Sequence, residues 1–132
     1  MFDPSALKFL GETHEWVHLD GDVATVGVSR FAVDQLTDLT LLELPKVGAK
    51  VTSGKSFGVI ESVKSANDVY SPVSGEVIAV NDAATTDFSL LSNDPYGKGW
   101  LIKVRIADSS RDLATGLLDD ADYQKKIAES PH

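Results

Sequence analysis

The chain has 132 residues, 42% of them hydrophobic, and a formal net charge of −8. This length predicts a single domain over residues 1–132 with a core of its own. The acidic balance argues against nucleic acid as a partner, because phosphate binding depends on clustered lysine and arginine. No apolar run approaches the roughly 20 residues of a membrane span. The amino terminus lacks the features of a secretory signal, so we expect a cytoplasmic protein.

The first part of the chain predicts a β-hairpin followed by a helix. Residues 7–10 form a short apolar strand, and residues 13–19 and 23–28 are rich in β-branched and aromatic side chains on either side of an Asp-Gly turn, the pattern of a hairpin. Ser29 can cap a helix that continues to Leu36. Residues 38–44 then return to strand.

One motif in this first hairpin matches a zinc-protease signature. The residues His14-Glu15-Trp16-Val17-His18 read H-E-x-x-H, which binds zinc only on a helix, where both imidazoles share one face. In a strand the two histidines lie about 13 Å apart along the chain, at about 3.3 Å per residue, whereas each zinc–nitrogen bond is about 2 Å. A small zinc hydrolase using His14 and His18 is therefore a remote alternative, and we expect no metal.

The central part contains a second predicted hairpin with a lysine at its tip. The β-prone residues 56–63 and 68–70 flank a short polar segment that includes Lys64. Proline and glycine then predict a turn before a third strand over residues 77–80. A lysine in a turn is usually only a solubilising charge. At the apex of a tight turn, however, its amine projects into solvent, where a modifying enzyme can reach it.

The last third of the chain predicts loops rich in glycine and proline, one strand and a helical C-terminus. Residues 81–88 predict a polar connection with one helical turn, and residues 100–106 predict a half-buried strand after a loop. Residues 109–128 predict a short helix and a longer one, divided at Gly116 and at Asp119-Asp120. Together the elements predict a mainly β fold of two small antiparallel sheets over one core, with a short helix after Ser29 and a helical C-terminus.

The segment around Lys64 resembles the lipoyl-attachment segment of glycine cleavage system H proteins. It runs from Glu61 to Val77 as E-S-V-K-S-A-N-D-V-Y-S-P-V-S-G-E-V. Residues 47–54, V-G-A-K-V-T-S-G, resemble the turn that precedes the lysine in lipoyl and biotinyl domains, and residues 93–100, N-D-P-Y-G-K-G-W, resemble another block of the family. The chain departs from the family at Thr37, where glycine is usual, and at Ser92, where asparagine is frequent. The resemblance implies a barrel-sandwich, lipoyl/biotinyl-like core.

The resemblance also implies specific roles for residues near the tip. Lys64 would carry lipoate in amide linkage, attached by a lipoate ligase or a lipoyl/octanoyl transferase. Glu61, Val63 and Ser65 would form the context of the attachment site, and the absence of methionine beside the lysine favours lipoate over biotin. The arm that carries an amine would fold back near Glu15 and Asp68.

The implied function is that of a non-catalytic, monomeric carrier. It would take an aminomethyl group from glycine decarboxylase, which uses pyridoxal phosphate, to the tetrahydrofolate-dependent aminomethyltransferase. It would then pass electrons to dihydrolipoamide dehydrogenase. Cysteine is absent from the sequence, so redox chemistry must come from an attached group, and the sequence shows no base paired with a nucleophile. An H-like lipoyl carrier for lipoate relay or another system stays an alternative.

Overall fold

The computed structural model describes residues 3–36, 38–107, 113 and 117–128. Within these ranges ten strands form two antiparallel sheets, which confirms the predicted mainly β class. The strands are β1 (Lys8–Leu10), β2 (Glu15–Asp20), β3 (Val23–Val28), β4 (Leu39–Glu43), β5 (Lys50–Val51), β6 (Ser56–Ser62), β7 (Ala66–Tyr70), β8 (Gly75–Val80), β9 (Ile102–Arg105) and β10 (Leu117–Asp119). The helices are α1 (Arg30–Gln35), α2 (Asp82–Thr86), α3 (Ser89–Asn93) and α4 (Asp120–Ala128), and a 3-10 turn (Pro4–Ala6) precedes β1.

The larger sheet has seven strands in the order β10-β1-β2-β3-β9-β8-β5. Its central hairpin pairs β2 with β3 in register from Glu15 opposite Val28 to Asp20 opposite Val23. Gly21, in the connection, has a φ of 63°, a backbone conformation that glycine adopts without steric cost. The first predicted hairpin is therefore confirmed.

The smaller sheet has three strands in the order β4-β6-β7 and contains the second predicted hairpin. Strand β6 pairs with β7, which begins at Ala66, two residues before the predicted start. Gly58 in β6 lies against β4, where an added Cβ would be 2.3 Å from the carbonyl oxygen of Glu43. Only glycine lets the two backbones approach this closely.

In the part of the chain that the structure describes, two groups of buried side chains hold the sheets and helices together. The main core joins apolar residues of both sheets, including Val26, Ile60 and Val104. A second cluster is formed by Leu7, Phe9, Trp16 and Tyr123. Since Phe9 and Trp16 belong to β1 and β2 and Tyr123 belongs to α4, this cluster attaches the last helix to the strands that begin the chain.

The C-terminal part agrees with the sequence prediction only in its longer helix, α4. Leu117 and Leu118, predicted to be helical, lie in β10 and pair with β1, because long-range strand pairing overrides a local helical pattern. The predicted short helix from Ser109 and the break at Gly116 fall outside the described residues, as does Thr37. Leu113 forms an isolated antiparallel bridge with Val73.

The helical elements otherwise follow the sequence with one addition. Ser29 caps α1 as predicted, and its hydroxyl accepts a hydrogen bond from the Ala32 amide at 3.2 Å. The dipeptide Leu90-Leu91, for which the sequence predicted no element, lies in α3. No helix in the described part of the chain is long and apolar enough to cross a membrane.

Candidate functional site

The structure places Lys64 at the tip of the hairpin between β6 and β7. The amide of Ser62 donates to the Ser65 carbonyl at 2.8 Å, so Val63 and Lys64 occupy the two central positions of the turn. Both side chains are exposed, Val63 by 69%. The Val63 amide donates to the Asp38 carbonyl at 3.1 Å, which ties the tip to the segment before β4. The lysine amine is therefore accessible on a turn whose backbone is held.

A cavity of about 460 Å³ opens beside this tip. One wall is strand β7, which begins two residues after Lys64. The opposite wall combines α1 with the segment that joins β1 to β2. The lining residues that contribute mainly apolar surface are Val28, Phe31, Ala32, Leu36, Ile60, Ala66, Val69 and Tyr70, and the more polar ones are Glu12, Thr13, His14, Glu15, Gln35, Asn67 and Asp68. We call this space the hairpin cavity.

Glu15 is a buried acid in the wall of the hairpin cavity, with only 1% of its surface exposed. Its Oε2 accepts a hydrogen bond from the Tyr70 amide at 2.7 Å, and its Oε1 accepts one from the Thr13 hydroxyl. Burial raises the pKa of Glu15 to about 7, although these hydrogen bonds act in the opposite direction. The acid is therefore partly protonated near neutral pH and ionises readily beside a cation.

The structure brings Asp68 to the same cavity as Glu15, although 53 positions separate them in the chain. Asp68 is exposed, and its Oδ1 accepts a hydrogen bond from the Ser56 hydroxyl at 3.3 Å. The two carboxylates thus differ in environment, one at the rim and one in the wall. Glu61 and Ser65 lie beside the tip instead: Glu61 is opposite Ala66 in the strand ladder, and Ser65 follows Lys64 in the turn.

The H-E-x-x-H motif does not form the helical face that zinc binding requires. His18 lies in strand β2, and His14 precedes it with a φ of 75°. The Nδ1 atom of His14 is 2.9 Å from the Tyr123 hydroxyl. Among the described residues no three His, Cys, Asp or Glu side chains gather as a metal site. The strand geometry removes the basis of the zinc hydrolase alternative.

Sequence reasoning missed several residues that shape the cavity. Thr13 bonds the buried acid, while Phe31 in α1 packs on the His14 ring with centroids 4.8 Å apart. Tyr123 contacts the cavity wall from α4, 109 residues away from His14. No pattern of neighbouring residues predicts a contact between positions so far apart in the chain. The one available signal was an ionisable residue, Glu15, next to tryptophan and valine at the start of a strand.

Comparison with known proteins gives one family. The family model described as glycine cleavage H-protein matches residues 7–130. The glycine cleavage system H protein of Thermosynechococcus vestitus is 47% identical over 127 residues, which are 96% of each chain, and that of Carboxydothermus hydrogenoformans is 44% identical over 96% of this chain and 95% of its own. A crystal structure of a glycine cleavage system H protein from Mycobacterium marinum superposes with a TM-score of 0.85 at 33% identity, covering 96% of this chain and 99% of that one. The chain belongs to the glycine cleavage H-protein family.

Proposed function

We propose that this chain is the lipoylated carrier of a glycine cleavage system, with lipoate attached to Lys64. The observation that carries the proposal is an exposed lysine at a hairpin tip beside a cavity with a buried carboxylate in its wall. The carrier takes an aminomethyl group from glycine decarboxylase to the tetrahydrofolate-dependent aminomethyltransferase. Dihydrolipoamide dehydrogenase then receives the electrons. Membership of the family supports each of these partners.

The residues around the hairpin cavity fit a lipoyl arm. Phe31, Leu36 and Ile60 line it with apolar surface suited to a hydrocarbon chain, and Glu15 supplies one buried carboxyl group. When bound, the lipoyl group supplies a disulfide that is reduced and reoxidised. The protein's part is to hold the arm at Lys64 and to offer its free end a sheltered site.

Glu15 gives the cavity its selectivity for an amine. An ammonium group beside it favours the charged carboxylate, so the pKa of Glu15 falls below about 7 and the acid ionises when the amine enters. A charge-assisted hydrogen bond of this kind contributes about 1.5–3 kcal/mol. Asp68 at the rim adds a second negative charge nearer to solvent. The cavity thereby retains the cargo amine and limits its contact with water.

The chain itself has a carrier role and leaves each bond-making step to a partner. We propose that it acts as a monomer in the cytoplasm of a bacterium, since the compared relatives are bacterial proteins. Tethering the cargo to one small body converts each transfer into an encounter between proteins, and the acidic surface suits partners with basic patches. A lipoate ligase or a lipoyl/octanoyl transferase attaches the arm.

The first experiment is lipoylation in vitro. The protein is incubated with lipoate, ATP and a lipoate ligase, and its intact mass and peptide map are measured. We expect a single lipoyl increment on Lys64, none in Lys64→Arg, and a normal increment in Lys46→Arg, which changes an exposed lysine of another turn. An unmodified Lys64 beside a competent control substrate would contradict the proposal.

A second experiment tests the system in which the carrier works. The lipoylated protein is mixed with glycine decarboxylase, and the glycine-dependent exchange of bicarbonate is measured. Exchange that requires Lys64 supports the glycine cleavage role. Lipoylation without exchange, accompanied by transfer of the lipoyl group to other acceptor domains, would instead indicate lipoate relay.

A further inference from the structure

The loop before β2 is held in an unfavourable backbone conformation. His14 has a φ of 75°, a conformation that a residue other than glycine keeps only where its surroundings impose it. Its amide donates to the Leu10 carbonyl at 2.8 Å, and its carbonyl accepts from the Ser29 amide at 2.9 Å. The loop carries Thr13 and directly precedes Glu15, so its conformation decides where the buried carboxylate lies.

The side chain of His14 is bonded to the C-terminal helix. Its Nδ1 lies 2.9 Å from the hydroxyl of Tyr123 in α4. The same hydroxyl lies 2.7 Å from the hydroxyl of Ser29, which also accepts the Ala32 amide and caps α1. Since His14 and Ala32 both line the hairpin cavity, one tyrosine hydroxyl joins the two elements of its wall.

The two hydrogen bonds that join His14, Tyr123 and Ser29 can run in either direction along the three side chains. In one arrangement Ser29 donates to Tyr123, and Tyr123 donates to Nδ1 of His14. In the other, a protonated Nδ1 donates to Tyr123, which donates to Ser29. Tyr123 keeps its own proton throughout, because burial raises the pKa of its hydroxyl to about 12. The link between the loop and α1 therefore persists in both arrangements.

We propose that Tyr123 is a positioning residue for the hairpin cavity, and that its hydroxyl fixes the loop of Thr13 and Glu15 relative to α1 so that the cavity receives the arm. This inference rests on the proposed function. Tyr123 lies in the second cluster, completely buried and stacked on Phe9 with ring centroids 4.3 Å apart. Helix α4 thereby contributes to cargo retention without touching the cargo.

Tyr123→Phe tests the inference because it keeps the ring and removes only the hydroxyl. In the protein without lipoate, we expect the carboxyl carbon NMR signal of Glu15 to titrate at a lower pH than in the wild type, as the loosened wall admits water. The imidazole nitrogen signals of His14 should shift as well. In the lipoylated, amine-loaded protein, hydrolysis of the cargo should accelerate at least about fivefold, the equivalent of one hydrogen bond.

Two further variants control for a merely structural effect. Tyr96→Phe also removes one tyrosine hydroxyl, from a ring that packs on Phe9 as Tyr123 does. The Tyr96 hydroxyl accepts a hydrogen bond from the Arg30 amide at 3.0 Å. Its removal should leave the Glu15 titration unchanged. His14→Gly also adopts the left-handed backbone and removes the same link from its other end, so it should reproduce Tyr123→Phe even if that variant folds poorly.

The outcomes separate this inference from the proposed function. A Glu15 titration and a cargo lifetime that are the same in Tyr123→Phe, His14→Gly and the wild type would overturn the role of Tyr123. Cargo that hydrolyses in the wild type as fast as it does from a free lipoyl amide would overturn the sheltering role of the cavity itself.

Discussion

The hairpin tip and the wall of the hairpin cavity lie next to each other but are built in opposite ways. At the tip, Val63 and Lys64 are exposed, and local hydrogen bonds define the turn. In the wall, Glu15 is buried and depends on residues that are up to 55 positions away. Substitutions at the tip should therefore change function without changing stability, whereas substitutions in the wall should change both.

The largest effect is expected at the tip. Lys64→Arg keeps the positive charge and removes the amine that forms the amide, so lipoylation and carrier activity should be lost completely. The free energy of unfolding should change by less than about 0.5 kcal/mol, as is usual for an exposed residue. Chemical denaturation and intact mass measure the two quantities. A strong destabilisation would show that Lys64 is part of the packed structure, and it would contradict the stated difference between the tip and the wall.

The second effect is a pH dependence of stability that originates in the wall. The folded protein binds the Glu15 proton more tightly than the unfolded chain does, because the pKa rises from 4.5 to about 7. The stabilisation is complete below pH 4.5 and is lost as the pH rises through 7. The free energy of unfolding should fall by up to about 3 kcal/mol over this range, at about 1.4 kcal/mol per tenfold change in proton affinity.

Glu15→Gln is the control for this pH dependence. A glutamine can accept from the Tyr70 amide with its oxygen and donate to the Thr13 hydroxyl with its nitrogen, so the contacts persist while the titration disappears. The stability of this variant should vary less between pH 5 and pH 8 than that of the wild type. Parallel curves for the two proteins would show that Glu15 does not titrate with folding.

The third effect concerns cargo retention and uses the same variant. Glu15→Gln cannot form an ion pair, so the loaded amine should hydrolyse about 10- to 150-fold faster, which corresponds to about 1.5–3 kcal/mol. Lipoylation of Lys64 should proceed at the wild-type rate. Release of formaldehyde from the loaded protein measures the loss. Unchanged hydrolysis would remove the role of Glu15.

The smallest effect returns to the tip. Val63→Ala should change the free energy of unfolding by less than about 0.5 kcal/mol, because the side chain is 69% exposed. We expect slower lipoylation, since Val63 presents apolar surface to the attaching enzyme directly beside Lys64. Val47→Ala is the matched control, as Val47 is 65% exposed in the turn that follows the opposite end of β4. Equal lipoylation rates would exclude recognition of Val63.

Local patterns predicted the hairpins, the Ser29 cap and the position of Lys64 because each depends on residues close in the chain. Alternation of apolar residues and turn chemistry specify a hairpin without reference to the rest of the fold. The tip of the site was therefore visible in the sequence.

The cavity wall could not be predicted from local patterns, because it depends on residues that are distant in the chain. The Glu15 carboxylate accepts a hydrogen bond from β7, and the His14 ring is hydrogen-bonded to Tyr123. Strand β10 likewise forms only by pairing with β1, at the opposite end of the chain. A residue pattern contains no information about such distant partners, so the pattern alone did not distinguish Glu15 from other strand residues, and only the family resemblance indicated it.

The proposed attachment point, Lys64, and one wall of the hairpin cavity are parts of the same hairpin, β6–β7. In the proposed carrier, retention of the cargo is therefore an intramolecular equilibrium, set by a tether of fixed origin, and dilution of the protein cannot shift it. A partner enzyme takes up the arm in competition with the cavity, and the time that the arm spends in the cavity weakens the partner's apparent affinity for it. The more tightly the cavity holds the arm, the more intrinsic affinity or concentration each partner needs to reach the same occupancy.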